Sequence, residues 1–279
     1  MAFTLALLSG DGGVGKTTLC AALGARAAAA GRKALVIDCN AGFRRLDMAL
    51  GMESRVMFDA ADAASGVCDP VRAIVHDSSG TLPDLLAAPF DVDIHPDEDL
   101  WLSMLAALQP HYDWIAFDAP TGTGVWSTLP SRLAERAYVV LTPDDGSMRC
   151  AERVLDKLRA EGHDRAQPPS LIINKMNPAF IEDNLQYPPN TVAQTLDTPV
   201  IGVIPEDEVL RAAYARAALG DLNSRSSIAM ELDALLRRTM GAPVPKTWEL
   251  TAKPFLSNPI LSRLKLGFDT KPILKEVWS

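Results

Sequence analysis

The chain is poor in aromatic residues, which make up 6% of its 279 positions, and it has only four cysteines, Cys20, Cys39, Cys68 and Cys150. They are scattered, with no C-x-C or C-x-x-C pair, which argues against a disulfide framework and against a zinc or iron–sulfur centre. Apolar runs are short, and none reaches the roughly 18 residues that a membrane span requires. Positive charge is also scarce: 27 Lys and Arg stand against 35 Asp and Glu, a formal net charge of −8. A globally basic surface is therefore excluded, and nucleic acid is not expected as a partner. The first strand pattern begins at about Ala2 with no leader ahead of it, so the expected location is cytoplasmic.

What positive charge there is collects at one end. From Lys246 to Ser279 the chain carries six basic residues against three acidic ones, so this tail is +3 and the remainder −11. "GAPVPKTWEL", from Gly241, reads as the end of a globular body. The expected division is thus a body over residues 1–245 and a tail over 246–279.

Short apolar runs alternate with helical patterns through the body. Phe3–Ser9, Lys33–Asp38, Asp113–Asp118, Ala137–Thr142, Ser170–Lys175 and Pro199–Ile204 are near-continuous in apolar residues, as strands covered on both faces should be. Thr17–Ala30, Glu98–Leu108, Met148–Glu161 and Asp207–Leu219 read as helices between them, and "GTLPDLLAAPFDVD" could hold one more strand. The pattern predicts an α/β fold: a mostly parallel twisted sheet of about seven or eight strands with helices on both faces.

Between the first strand and the first helix lies Gly10-x4-Gly15-Lys16-Thr17, a P-loop pattern that makes the fold a P-loop NTPase. Its glycines let backbone N–H groups curl round a phosphate, and the helix N-terminus adds the positive end of its dipole. Lys16 is expected to reach the β- and γ-phosphates and Thr17 to ligate Mg²⁺. Asp38 and Asp118 each end a buried strand, where a carboxylate can hold Mg²⁺ through water. One residue is out of character, an acid at Asp11 inside a loop built for anions.

"SGDGGVGKTT", "VIDCNAGFRRLDMALGME", "DWIAFDAPTGTG", "LTPDDGSMRCAERV", "NKMNP" and "GVIPEDEVLRAA" occur in the order and spacing of the MinD branch of the MinD/ParA group of P-loop ATPases, which the chain resembles over roughly residues 1–240. The resemblance implies ATP/ADP and Mg²⁺ as cofactors, an ATP-dependent homodimer, attachment to the inner face of the cell membrane through a C-terminal amphipathic helix, and a division regulator or activator protein as partner. Carried over residue by residue, Gly10, Asp11, Gly12, Gly13, Val14, Gly15, Lys16, Thr17 and Thr18 form the phosphate loop. Asn174 matches the position that reads the adenine ring, and Pro205, Glu206 and Asp207 match the loop against the base. Lys16, Asn40 and Asp118 are the expected catalytic residues, and Thr17, Asp38 and Asp118 the expected metal site.

Two positions depart from the family. It has Lys where this chain has Asp11, and typically Asp where this chain has Asn40. The family's lysine reaches across the dimer to the partner's phosphates, whereas a like charge about 4 Å from a phosphate costs roughly 1 kcal/mol in water and several in a drier site. Asn can exchange hydrogen bonds but is a poor base. Nucleotide binding is expected to survive, while hydrolysis and the standard dimer stay open. In the tail, Ile260, Leu261, Leu264 and Phe268 share a helical face, with Arg263 and Lys265 off it. That pattern fits a membrane-interface helix or a segment packed on the body. The leading functional expectation is a MinD-like ATPase for division-site placement. The alternatives are a nucleotide-binding scaffold with little or no turnover and, behind it, a ParA-type DNA-partitioning ATPase that would use Arg44, Arg45, Arg149 and Arg153. Metal-cofactor maturation ranks last because Cys150 stands alone.

Overall fold

A computed structural model describes residues 1–162, 168–246 and 248. Strands β1 (Phe3–Ser9), β2 (Ala34–Asp38), β3 (Asp84–Leu86), β4 (Trp114–Thr121), β5 (Arg136–Leu141), β6 (Ser170–Met176) and β7 (Val200–Pro205) form one sheet in the order β3-β2-β4-β1-β5-β6-β7. Every neighbouring pair among them is parallel. The six expected strands are present within a residue or two, apart from a three-residue extension of β4, and the ambiguous segment supplies the edge strand β3.

The connections are α1 (Lys16–Ala29), α2 (Leu46–Leu50), α3 (Ala60–Ala64), α4 (Glu98–Leu108), α5 (Val125–Leu133), α6 (Asp145–Ala160), α7 (Pro178–Glu182), α8 (Pro189–Thr195) and α9 (Glu208–Ala215), with α10 (Ser227–Thr239) after the last strand. The helix expected from Met148 starts earlier, because Asp144 caps Ser147 N–H and opens α6 at Asp145. The one expected to run to Leu219 ends at Ala215, where Ala217 takes positive φ.

Alternate strand residues point to opposite faces, and both faces are buried. Leu8, Ile37, Phe117, Val139 and Ile173 pack with Trp101 and Leu105 of α4 and Val154 and Leu155 of α6. Leu7, Val36, Ala116, Val140 and Ile172 pack with Leu19 and Leu23 of α1 and Leu232 and Leu235 of α10. This two-sided burial is why the strands read as unbroken apolar runs. Among the described residues no helix is long and apolar enough to cross a membrane. The expected membrane-targeting segment at residues 246–279 lies, from residue 249 on, outside the described residues. Trp248 places its ring over the Arg238 guanidinium at 4.9 Å, and Arg238 donates to the Val244 and Pro245 carbonyls, so the start of the tail rests on α10.

Parallel register brings the carboxyl ends of β1, β2 and β4 together. Asp38 pairs with Asp118 across the β2–β4 ladder, and Leu7 of β1 pairs with Asp118 from the other side. The glycine loop leaves β1 directly above this point.

Candidate nucleotide site

The loop from Gly10 to Gly15 joins the end of β1 to Lys16, the first residue of α1. Gly15 has φ 93°, a left-handed conformation that a side chain resists, and a Cβ there would lie 2.4 Å from Asn174 Nδ2. A Cβ on Gly10 would come within 2.0 Å of the Cys150 carbonyl oxygen, so α6 closes over the base of the loop. Lys16 is buried, and its Nζ donates to Ser9 Oγ at 2.7 Å and to Thr121 Oγ1 at 3.1 Å. Ser9 Oγ in turn donates to the Asp11 carbonyl at 2.8 Å. Burial draws the Lys16 amine below its usual pKa, with Arg45 adding to the effect and the charges of Asp118 and Asp11 opposing it.

Beneath the loop lies a carboxylate pair. Thr17 Oγ1 donates to Asp118 Oδ2 at 2.6 Å. The Asn40 side-chain amide donates to Asp38 Oδ1 at 2.9 Å and to Asp118 Oδ2 at 3.1 Å, bridging the two acids. Asp38 also accepts the backbone N–H groups of Asn40, Arg45 and Leu46, so both its oxygens are engaged and it anchors the start of α2. Asp118 Oδ1 is buried without a hydrogen-bond partner. Burial raises both carboxyls above their ordinary range. Asp118 is pushed up to about 7, first by desolvation and then by the Asp38 charge, against the pull of Thr17, Lys16 and Asn40.

A cavity of about 690 Å³ opens above these groups, lined on the loop side by Gly12, Gly13, Gly15, Lys16, Thr17 and Thr18. Asn40, Arg45 and Thr121 line another wall; Asn174, Lys175, Pro205, Glu206, Asp207 and Tyr214 line the side where a base would lie. Gly10, Val14 and Asp11 do not line it: Val14 is buried, and Asp11 is half-buried outside the lining, as an acid beside a phosphate site should be. Asp38 and Asp118 sit just below the floor, both buried. Asp207 faces the cavity but spends a carboxylate oxygen on the Leu210 N–H, capping α9. Asn174 donates its amide N–H to the Val14 carbonyl at 2.7 Å, so it also ties the loop to β6. Sequence reasoning missed Lys175, whose Nζ donates to the Gly13 carbonyl at 2.7 Å. It also missed Tyr214, and it named Arg45 only for the DNA-partitioning alternative, not for this cavity. Lys175 and Arg45 lie within "NKMNP" and "VIDCNAGFRRLDMALGME", two of the blocks that carry the family resemblance, and that was the available signal for them. Among the described residues no three His, Cys, Asp or Glu side chains gather into a metal cluster. A hydroxyl and a buried carboxylate below a phosphate loop are a different donor set, one that suits Mg²⁺ shared with phosphate oxygens.

Glycine loop, buried lysine, threonine hydroxyl and strand-end aspartates at the carboxyl edge of a parallel sheet together define a P-loop nucleotide-binding protein. The model of the CobQ/CobB/MinD/ParA nucleotide binding domain matches residues 5–219, and the chain belongs to that family. It is 30% identical over 267 residues to the septum site-determining protein MinD of Synechocystis sp., covering 94% of this chain and 98% of that one. It is 31% identical to MinD of Thermotoga maritima, over 88% of this chain and 90% of that one. Among solved structures it is similar to the MinC:MinD cell division protein complex of Aquifex aeolicus, at 30% identity and TM-score 0.78, over 88% of this chain and 98% of that chain.

Proposed function

We propose that this chain is a MinD-like ATP-binding protein for cell-division site placement, located in the cytoplasm and peripherally on the inner face of the membrane. The observation that carries the reading is the loop above the Asp38–Asp118 pair, with Lys16 and Thr17 already at its centre. Residues 1–245 are the nucleotide-binding body. ATP would close two copies face to face, and two tails presented together would hold a membrane that one tail holds weakly. A division regulator would read the assembled pair. The relatives' names and the MinC:MinD complex of A. aeolicus support this part of the reading.

The residues fit a bound Mg²⁺. Thr17 offers its hydroxyl, Asp118 has an unpartnered buried oxygen, and two acids with raised pKa values share one spot that a divalent cation would neutralise. When bound there, held by the Thr17 hydroxyl and the Asp118 carboxylate, the ion would offset phosphate charge. Lys16, held by two hydroxyls, is set to exchange them for phosphate oxygens. Asn40 holds the carboxylates together through its N–H groups, leaving its carbonyl oxygen to orient a water without accepting a proton. That geometry, with Asp11 outside the cavity, favours a second reading in which nucleotide is bound with little turnover. Calorimetry with ADP and ATP in the presence of Mg²⁺ tests binding, and absence of heat with both refutes the first claim. Phosphate release separates the two readings. Pelleting with anionic liposomes should require ATP and residues 249–279; pelleting that survives truncation refutes the membrane mechanism.

A further inference from the structure

Lys175 is the least expected member of the site. It has φ 54°, a left-handed backbone that is uncommon for a lysine. Gln186, in the segment after α7, braces this turn. Its Nε2 donates to the Lys175 carbonyl at 3.0 Å, and its Oε1 accepts the Asn177 N–H at 2.8 Å. One amide thus grips the chain on both sides of Met176. Gln186 is itself placed by its backbone N–H on the Phe180 carbonyl, and the next residue, Tyr187, donates its N–H to the Pro143 carbonyl. The turn that results aims the exposed Lys175 side chain back over the sheet edge, where its amine takes the Gly13 carbonyl. Asn174 takes the next carbonyl, Val14.

Two consecutive carbonyls of the phosphate loop are therefore held by two consecutive residues of β6. In a peptide plane the N–H points opposite to the C=O. Holding the Gly13 and Val14 carbonyls against β6 turns the following N–H groups, those of Val14 and Gly15, away from β6, as a loop that wraps a phosphate in its amides requires. We propose that Lys175, locked in its strained turn by Gln186, is a positioning residue that presets the loop for the β-phosphate and couples it to the base-side wall on β6. The inference rests on the reading of this cavity as a nucleotide site. It assigns Lys175 no contact with the nucleotide; it acts through Gly13.

The test is nucleotide affinity in the full-length protein with Mg²⁺, for ADP and for AMP, which lacks the β-phosphate. Lys175→Met keeps the stem and loses the amine. It should raise the ADP Kd roughly ten-fold while the AMP Kd changes less than about two-fold. Lys175→Arg should restore most of the ADP affinity. Lys175→Gly relieves the left-handed strain yet removes the amine, so it should melt at the same or a higher temperature while binding ADP as weakly as Lys175→Met. Gln186→Ala should weaken ADP in the same direction. A purely structural role would make stability and affinity fall together. Wild-type ADP affinity in Lys175→Met, or equal losses for ADP and AMP, overturns the proposal. Failure of the wild type to bind ADP would instead refute the nucleotide reading itself.

Discussion

Replacing Asp118 by Asn should stabilise the protein in the absence of nucleotide and metal, by an amount that depends on pH. The carboxyl is fully buried beside Asp38, and its pKa in the fold is about 7 against an ordinary 3.8. An acid whose pKa is raised by folding favours the native state only while it is protonated. Its contribution is intact below the unfolded value near 4 and is lost as the pH climbs through 7. About three pH units at 1.4 kcal/mol each give roughly 4 kcal/mol. The Asn side chain is nearly isosteric and its oxygen can still accept from Thr17 and Asn40, so little packing is disturbed. The assay is urea unfolding of wild type and Asp118→Asn in EDTA, from about pH 4 to pH 8. The difference between the two curves should widen by several kcal/mol across that interval, and Mg²⁺–ATP should reverse the ranking by stabilising only the wild type. A difference that stays flat with pH would refute the claim that this buried pair is held at a cost in the empty protein.

Asn40→Asp would replace a donor shared by two carboxylates with a third negative charge. It should destabilise the metal-free protein by roughly 2 kcal/mol or more near pH 8 while raising phosphate release; an unchanged unfolding midpoint would refute the bridging role. Gly10→Ala forces a Cβ to within 2.0 Å of the Cys150 carbonyl, a backbone atom that cannot swing aside. A loss of about 3 kcal/mol or more is expected, and a thermal melt within a degree of wild type would contradict the close approach of α6. Asp11→Lys should increase ATP-dependent dimer in sedimentation, since it removes a like charge near the polyanion; an unaltered profile would sink that account.

The parts of the molecule set by local pattern were legible in the sequence. Five strands stood out because each buries both faces, β7 because it is apolar throughout although one of its faces is only half-buried, and the phosphate loop because strand, glycines, lysine and helix follow in series. Strand β3 was obscured by its three-residue length and by Pro83 and Pro89 around it. Helix α5 was obscured by Pro130, which lies inside its nine residues rather than in the first turn, where a proline is at home. Helix α10 was overlooked despite a readable signal, a Ser226 cap followed by Ile228, Leu232, Leu235 and Leu236 on one face. In the site, the residue types were foreseen but not their bonds. Asn40 was expected among the catalytic residues, but not as the amide that spans two carboxylates, and Lys175 meets Gly13 across 162 positions of chain. Contacts of that separation are decided by register between distant strands, and no local spacing records them.

The central position of β1 has a consequence for how the protein is made. Its two neighbours are β4, where Trp114 pairs with Phe3, and β5, where Arg136 pairs with Leu5. Strand β1 is synthesised before both of them and therefore waits for more than a hundred residues of synthesis before either flank exists. Until then the glycine loop has no floor and no back wall. A nascent chain should bind no nucleotide until β5 and β6 have emerged, and β1 should be the strand of this sheet most in need of shelter by chaperones during translation.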